Sequence, residues 1–264
     1  FIILAFTSSL PEARVALNSL VEGAVALSIG NILGATTIIL TLIIGLNSIK
    51  HKSMPFKGFF GRREVFLSLA TILGQVAVVF DGRITPLEGW ILILLYFTFI
   101  FYIVLKSKKS GRKDPVRKRG ESSLPMLLTK TSIGVVALVW SANILVEKAI
   151  ELAAILSIPQ ILVGLFMLSV GTNLPEIALL IRSNSAEKEK LAAGNFIGSA
   201  TFNTALLGFL AISAPYEFTN FSAIVTVVLV LTITIFVLAS MVANNEKIKA
   251  TEGDIQLFFF VLLA

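Results

Sequence analysis

The chain has 264 residues, of which 56% are hydrophobic and only 14% are charged. Its mean hydropathy is +0.90, whereas about a quarter of the residues in soluble domains are charged, so the composition predicts a polytopic membrane protein. The net charge of +6 comes from basic residues in loops and indicates membrane topology rather than nucleic-acid binding. Because the chain contains no cysteine, disulfides and thiolate metal sites are excluded.

Apolar segments long enough to cross a bilayer follow one another along the chain. Two of them, at 1–21 and 161–181, contain a Pro and a Glu and are predicted to be broken helices. The other predicted spans are 24–49, 64–80, 87–105, 124–156, 190–213, 221–243 and a last one from 255 onward. A counterpart of the 124–156 helix is expected upstream of residue 1. We therefore predict an all-α membrane fold of about ten helices, the first of them missing from this sequence.

A short motif occurs twice. The sequence GTNLPE at 171–176 is followed by GNFIGS at 194–199, and SSLPE at 8–12 is followed by GNILG at 30–34. Subtracting 164 from the second set of residue numbers aligns the conspicuous positions of the two sets without a gap. The same offset pairs Glu252 and Gly253 with Glu88 and Gly89. The chain is therefore predicted to contain an internal duplication.

The duplication divides the chain into a first repeat at 1–105, a basic linker at 106–123 and a second repeat at 124–264. Most of the basic residues, 18 of 22, fall in four loops, at 50–63, 106–119, 182–190 and 247–249. This bias predicts that the four loops share one face, the cytoplasmic one. Since each repeat has an odd number of spans, about five, the repeats are expected to insert in opposite directions, as in many secondary transporters.

Glu12 and Glu176 are the residues most indicative of function. A charged side chain at the centre of a membrane helix costs about 2.5–3.5 kcal/mol on insertion scales and is usually retained for function. The alternative interpretation is structural: each carboxyl could lie at a helix end or take part in a structural hydrogen bond. The recurrence of Glu at two equivalent positions makes that interpretation less favoured. Backbone unwound near Pro is tolerated at membrane depth only inside the protein or beside a wet cavity. Carbonyls, hydroxyls and carboxylates together form the all-oxygen set that Na⁺ and Ca²⁺ prefer.

Other residues near the motifs have structural interpretations. The Gly30–Gly34 and Gly194–Gly198 pairs predict close helix contacts, expected with the broken helix of the same repeat. Asn31 and Asn195 are expected to bond across those contacts. Glu88 and Glu252 are interpreted as interfacial helix caps, and the lone His51 is predicted to be solvated in its loop. Arg14 could pair with Glu12 or face the bilayer edge.

At these motifs the chain resembles the cation/Ca²⁺ antiporter superfamily, whose Na⁺/Ca²⁺ exchanger branch has two inverted repeats with GTSLPE and GN–GS signatures. The resemblance covers nearly the whole chain and implies a ten-helix fold with alternating access. It implies Glu12 and Glu176 as the principal cation ligands. It further implies neutral oxygen ligands from Ser8, Ser9, Thr172, Asn173, Ser199 and Asn203.

Three positions depart from the family pattern. Ala35 stands where the first repeat usually has Ser, and Ile39 stands where Asn or Asp is typical. Asn203 occupies a position that is Asp in sodium-coupled members. The two carboxylates would neutralise one Ca²⁺, but oxygen ligands are lost on the first-repeat side, where Thr36 and Thr37 are the candidate replacements. Coupling to H⁺ or an altered stoichiometry therefore stays open.

The leading hypothesis is a secondary antiporter that exchanges Ca²⁺ for Na⁺. The alternatives are a H⁺-coupled Ca²⁺ antiporter, a passive cation channel and a non-transporting relative. An intramembrane enzyme is not supported, since the sequence contains no HExxH, GxSxG or paired membrane Asp. The expected partners are Ca²⁺ and Na⁺ (or H⁺) and the lipid bilayer, with no cofactor and no nucleic acid. The protein is expected to act as a monomer in the cell membrane, with the 106–119 loop cytoplasmic.

Overall fold

The computed structural model describes residues 2–55, 61–109, 124–218, 222–244 and 247–263, which are mostly α-helical. Most of the predicted linker at 106–123 lies outside these residues. The helices of the first half are α1 (Ile2–Ser8), α2 (Leu10–Val21), α3 (Val25–Ile38), α4 (Ile44–Lys50), α5 (Arg62–Val79) and α6 (Pro86–Lys109). Those of the second half are α7 (Leu124–Leu156), α8 (Gln160–Val163), α9 (Ser169–Thr172), α10 (Leu174–Arg182), α11 (Ala186–Ser213), α12 (Ser222–Asn244) and α13 (Ala250–Leu263). Four short strands lie in the connections between helices: β1 (Ser53–Pro55), β2 (Arg83–Ile84), β3 (Tyr216–Glu217) and β4 (Lys247–Lys249).

Two helical rods continue through a π-helical turn, α3 into α4 at Ile39–Ile43 and α8 into α9 at Gly164–Leu168. In the part of the chain that is described, five helical segments have the length and apolar composition to cross a membrane: Val25–Lys50, Pro86–Lys106, Gln160–Arg182, Lys188–Ser213 and Ile224–Asn244. The most apolar window of Val25–Lys50 is 89% buried and that of Lys188–Ser213 is 72% buried, against 22% for Pro86–Lys106. The segments that follow the two Pro-Glu motifs therefore form the centre of the molecule.

Both predicted helix breaks are present. Ser9 separates α1 from α2, and Asn173 separates α9 from α10. Their backbone angles, φ −92° and ψ 11° for Ser9 and φ −83° and ψ 4° for Asn173, lie in the bridge region between helix and strand. Pro11 and Pro175 then occupy the first turn of the new helix, where the missing N–H removes no intrahelical bond. Each break is therefore followed directly by a helix whose first turn carries a Glu.

The Gly30–Gly34 pair packs against a different partner from the one predicted. Gly30 faces the backbone of Ile161 and Leu165, and Gly34 faces Leu165 and Ser169. These residues belong to the broken helix of the second repeat, not of the same repeat. Spacing shows which helix face is smooth, but it does not identify the helix that packs there. The broken helix of the second repeat is therefore held against α3 of the first repeat.

Further contacts between the halves join corresponding elements, with the glycine positions matching to within one residue of the 164-residue offset. Gly45 of the first half packs against Gly253 of the second, and Gly208 of the second packs against Gly89 of the first. The two small sheets also join the halves, since β1 pairs with β4 and β2 pairs with β3, both antiparallel. The two halves are therefore interlocked through corresponding elements.

The predicted interfacial caps are present at both equivalent positions. The Glu88 carboxylate accepts from the Thr85 backbone N–H at 2.7 Å, and that of Glu252 accepts from the Lys249 N–H at 2.7 Å. An acceptor three residues into a helix satisfies one of the donors that the first turn leaves free. The two caps fix the starts of α6 and α13.

The prediction that His51 is solvated is wrong. Its side chain is only 14% exposed, its Nε2 lies 3.2 Å from Ser183 Oγ, and its Nδ1 lies 3.8 Å from Glu189. Next to it, Lys50 Nζ donates to the carbonyls of Leu180 and Ile181 at 2.7 and 2.9 Å. A cation at these carbonyls also suits the negative end of the α10 dipole. Both residues tie the first repeat to the end of the helix that carries Glu176.

The basic loops meet at one end of the molecule. His51 and Lys50 join loop 50–63 to the 182–190 loop, and β1 joins it to the strand at 247–249. Lys106 pairs with the buried Glu64 carboxylate at 2.5 Å at the same end. For the residues described, the prediction that these loops share a face is confirmed.

Candidate cation site

Two buried carboxyls form the centre of the candidate site. Glu12 is 1% exposed and Glu176 is fully buried, and they lie in the first turns of α2 and α10. They are close enough to repel each other when both are ionised. In each, Oε2 is buried and has no hydrogen-bond partner among the described residues. Helix N-termini favour carboxylates, but an unpartnered buried oxygen remains costly unless a cation or proton compensates it.

Hydroxyls from each break bond to an Asn of the opposite repeat. Asn195 Nδ2 donates to Ser8 Oγ at 3.1 Å, and Thr172 Oγ1 donates to Asn31 Oδ1 at 3.2 Å. The offset of 164 residues relates these two pairs, since Ser8 corresponds to Thr172 and Asn31 to Asn195. The prediction that both Asn residues bond to a broken helix is borne out, but the helix belongs to the opposite repeat and not to the same repeat. The pairs hold each helix break in register with the central helix beside it.

The two carboxyls have unequal surroundings. Ser199 Oγ donates to Glu176 Oε1 at 3.0 Å and lies 3.0 Å from Ser8 Oγ. The residue equivalent to Ser199 in the first repeat is Ala35, which has no hydroxyl to offer Glu12. The departure at Ala35 therefore leaves Glu12 without a counterpart of the Ser199 hydroxyl.

Three other residues named as neutral ligands present free oxygens. Within the described part of the chain, no hydrogen-bond partner is found for three buried oxygens, Ser9 Oγ, Asn173 Oδ1 and Asn203 Oδ1, so none of them bonds to either carboxyl. Asn173 also donates through Nδ2 to the Ser169 carbonyl at 2.6 Å, which fixes its amide. Each unpartnered buried oxygen costs about 1–3 kcal/mol. A bound cation would remove that cost at several positions at once.

Thr36 and Thr37 do not supply free oxygens to replace the lost ligands. Thr37 Oγ1 donates to the Leu33 carbonyl of its own helix at 2.8 Å. Thr36 Oγ1 donates to Gln75 Oε1 at 3.1 Å and accepts from Asn203 Nδ2 at 3.1 Å. Gln75 is fully buried in α5 and was not singled out from the sequence. A single Gln within an apolar span was the available signal.

Arg14 pairs with neither motif carboxyl in the described contacts. Its Nε donates to Asn143 Oδ1 of α7 at 3.2 Å, and Asn18 Nδ2 donates to the same oxygen. This polar contact links α2, which carries Glu12, to the long helix of the second repeat. It lies outside the set of oxygens around the two carboxyls.

The donor set suits a hard cation. The candidate ligands are carboxylate, hydroxyl and amide oxygens, which Ca²⁺ and Na⁺ prefer to nitrogen or sulfur. Among the residues described, no cluster of three or more His, Cys, Asp or Glu is present. Two carboxylates balance the charge of one divalent cation.

Comparison with known proteins identifies a family. The model of the sodium/calcium exchanger protein family matches residues 1–105 and 131–264. The putative antiporter CaxA of Alkalimonas amylolytica is 28% identical over 98% of this chain and 84% of its own length. The sodium/calcium exchanger MaX1 of Methanosarcina acetivorans is 30% identical over 47% of this chain and 36% of its own length.

Solved structures share the fold. The sodium-calcium exchanger NCX_Mj superposes with a TM-score of 0.71 at 21% identity, covering 98% of this chain and 83% of its own. The H⁺/Ca²⁺ exchanger CAX superposes with a TM-score of 0.72 at 18% identity, covering 98% of this chain and 72% of its own. At these identities the likeness establishes the fold alone, and both ion couplings occur on it.

Proposed function

The chain belongs to the sodium/calcium exchanger protein family, and from that premise we propose that it is a secondary antiporter exchanging Ca²⁺ for Na⁺. Membership places it among membrane cation transporters rather than enzymes. Ca²⁺ would bind between Glu12 and Glu176, with neutral oxygens from the helix breaks completing its coordination. The observation that carries the proposal is the pair of buried carboxyls at equivalent breaks, each with an oxygen that has no partner.

The charge of the site explains why Ca²⁺ and the counter-ion would exclude each other. A site with two carboxylates is neutralised by one Ca²⁺ or by two monovalent cations. Binding both together would leave excess positive charge in a low-dielectric interior, where the electrostatic cost is high. An empty site would instead leave two like charges side by side. Exchange therefore follows if the site moves between the two faces only when it is neutralised.

H⁺ coupling is the second candidate, and the asymmetry of the site favours it. Ala35 and Ile39 have no side-chain oxygen at two first-repeat positions where the family resemblance implies one, and Thr36 is engaged with Gln75. Several Na⁺ ions each need several oxygens, whereas a proton needs only a carboxylate oxygen. Protonation of Glu12 and Glu176 would remove both negative charges of the site without any further ligand.

Uptake of radioactive Ca²⁺ into proteoliposomes containing the full-length protein tests the proposal. An outward Na⁺ gradient and an outward H⁺ gradient are applied separately. We expect the Na⁺ gradient to drive uptake, and Glu176→Gln to abolish it because one charge of the site is lost. Glu151→Gln is the matched control, since Glu151 is exposed on α7 and pairs only with Lys148 in the described contacts.

Each of the other outcomes would indicate a different function for this protein. Uptake driven only by the H⁺ gradient would establish the H⁺-coupled antiporter. Ca²⁺ entry that needs neither gradient would indicate a channel. Equal absence of uptake in wild type and Glu176→Gln, with folded protein in the membrane, would reject Ca²⁺ transport.

A further inference from the structure

A buried chain of hydrogen bonds leads from α5 to the candidate site. Gln75 Nε2 donates to the Ala200 carbonyl at 3.2 Å and to Thr204 Oγ1 at 2.9 Å. Gln75 Oε1 accepts from Thr36 Oγ1 at 3.1 Å, and Thr36 Oγ1 accepts from Asn203 Nδ2 at 3.1 Å. Gln75 and Thr36 are fully buried and Asn203 is 1% exposed.

The donor and the acceptor of every hydrogen bond in this series follow from the Ala200 carbonyl at one end. A backbone carbonyl can only accept, so the Ala200 oxygen requires the amide nitrogen of Gln75. The Gln75 oxygen then faces Thr36 and takes its hydroxyl proton. The Thr36 oxygen has only lone pairs left for Asn203, which must present its NH₂ group. Asn203 Oδ1 is thereby turned away from Thr36.

A second contact fixes Gln75 in the same orientation. Thr204 Oγ1 donates to the Thr71 carbonyl at 3.4 Å, so it accepts rather than donates toward Gln75. Both protons of the Gln75 amide are therefore engaged, and its oxygen is left for Thr36. Reversal of the Gln75 amide would place its oxygen against the Ala200 carbonyl, with two acceptors facing each other.

Asn203, the last residue of this series of hydrogen bonds, lies beside the candidate cation site. Asn203 is one helical turn after Ser199, so the two side chains share a face of α11. Ser199 donates to Glu176, while Asn203 Oδ1 is buried without a partner. The equivalent residue in the first repeat is Ile39, which provides no oxygen.

We propose that Gln75 is a positioning residue for the cation site, which holds the Asn203 amide so that its oxygen rather than its NH₂ group faces the cation. The inference rests on the proposed function and deepens it. Without Gln75 the Thr36 hydroxyl loses its acceptor and can donate to Asn203 Oδ1. The amide would then turn and present hydrogen atoms to the cation.

A double-mutant cycle with Asn203→Asp tests the proposal, because a carboxylate offers oxygen in either orientation. Dissociation constants for radioactive Ca²⁺ are measured on the full-length protein in detergent. Gln75→Leu should raise the Kd about tenfold with Asn203 in place, as expected for losing an oxygen contact to a charge. In the Asn203→Asp background the same substitution should raise the Kd by less than about twofold.

Two controls separate positioning from general damage to the fold. Ser68→Ala removes a buried, unpartnered hydroxyl from the same helix and should leave the Kd unchanged in both backgrounds. Thermal unfolding without Ca²⁺ shows whether the variants fold. Equal increases in Kd with Asn203 and Asp at position 203, or no increase with either, would overturn the positioning role alone. Absence of Ca²⁺ binding by the wild-type protein would overturn the proposed function together with this inference.

Discussion

At the scale of single residues, the two motif carboxyls differ by one hydroxyl. Ser199 donates to Glu176, whereas the equivalent Ala35 leaves Glu12 without such a donor. Ala35 is fully buried in α3, so its position already faces the protein interior. The asymmetry belongs to this chain, since the resemblance to the exchanger superfamily implies a Ser at both positions.

Ala35→Ser is therefore expected to strengthen Ca²⁺ binding. The new hydroxyl gives the first-repeat side the oxygen it lacks, and a hydrogen bond to a charged group is worth about 1.5–3 kcal/mol. We expect the Kd for Ca²⁺ to fall by at least about threefold, since part of that energy is spent on the tighter packing. Equilibrium binding of radioactive Ca²⁺ measures the change. Ser199→Ala should weaken binding, and a weakening by both substitutions would contradict the predicted equivalence of the two positions.

Predictions for single residues succeeded where the local sequence was enough to indicate the role of the residue. The Leu-Pro-Glu repeats located both helix breaks and both buried carboxyls, because Pro and a membrane Glu are informative without knowledge of neighbours. The roles of His51 and Gln75 depended on elements distant in sequence. His51 appears as a loop residue until Ser183 and Glu189 are seen beside it. Gln75 appears as a polar residue in a span until Thr36 and Ala200 are in contact with it.

At the scale of helices, close backbone contact holds the second broken helix against α3. A Cβ atom added to Gly30 would overlap the Ile161 carbonyl, and one added to Gly164 would overlap the Leu27 carbonyl. Neither obstacle is the end of a flexible side chain, so the helices themselves would have to separate. Such a separation would also disturb the bond between Thr172 and Asn31.

Gly30→Ala is expected to destabilise the protein and abolish Ca²⁺ uptake. Overpacking in a tight interior costs about 1–3 kcal/mol, which corresponds to a fall in Tm of several degrees. Thermal unfolding in detergent and uptake into proteoliposomes measure the two effects. Gly134→Ala in α7 is the matched control, because its Cβ would have nothing within 4 Å and Ala favours helix by about 1 kcal/mol. Equal behaviour of the two variants would refute the role assigned to the contact.

Helix positions were predictable from hydrophobic length, but helix partners were not. The predicted span 124–156 coincides with α7, and the span 24–49 differs by one residue at each end from Val25–Lys50. The partner of the glycine stripe was assigned to the wrong repeat. A stripe of small residues constrains the distance of approach, whereas the choice between two related helices depends on how the two halves interlock.

At the scale of the whole molecule, the duplication appears in the three-dimensional contacts. The Gly45–Gly253 and Gly89–Gly208 contacts, and the two small sheets, join corresponding parts of the halves in exchange. The repeats were visible in the sequence because a gap-free offset preserves motif spacing. The interlocking was not visible, because it concerns pairs of residues more than a hundred positions apart, as in β1 with β4 and β2 with β3.

The distribution of basic residues predicts which face is cytoplasmic. The chain contains no cysteine, so single-Cys variants report one position each. Lys52→Cys lies in a basic loop, and Asp81→Cys lies at the other end of α5. In intact cells a membrane-impermeant thiol reagent should label position 81 and leave position 52 unlabelled until the cells are opened. Labelling of both positions from outside, or the reverse pattern, would overturn the orientation.

The charge of the site has a consequence for how transport responds to voltage. With Asn203 in place of an acidic residue, the proposed site has two carboxylates among the described residues, Glu12 and Glu176, and would be neutral when it holds one Ca²⁺ or two monovalent ions. A neutral carrier gains nothing from a membrane potential, whereas each uncompensated charge would gain about 2.3 kcal/mol per 100 mV. Ca²⁺ uptake should therefore be unchanged when a K⁺ diffusion potential is imposed on the proteoliposomes. Asn203→Asp would make it voltage-sensitive, and a voltage-sensitive wild type would show that a third monovalent cation accompanies the exchange.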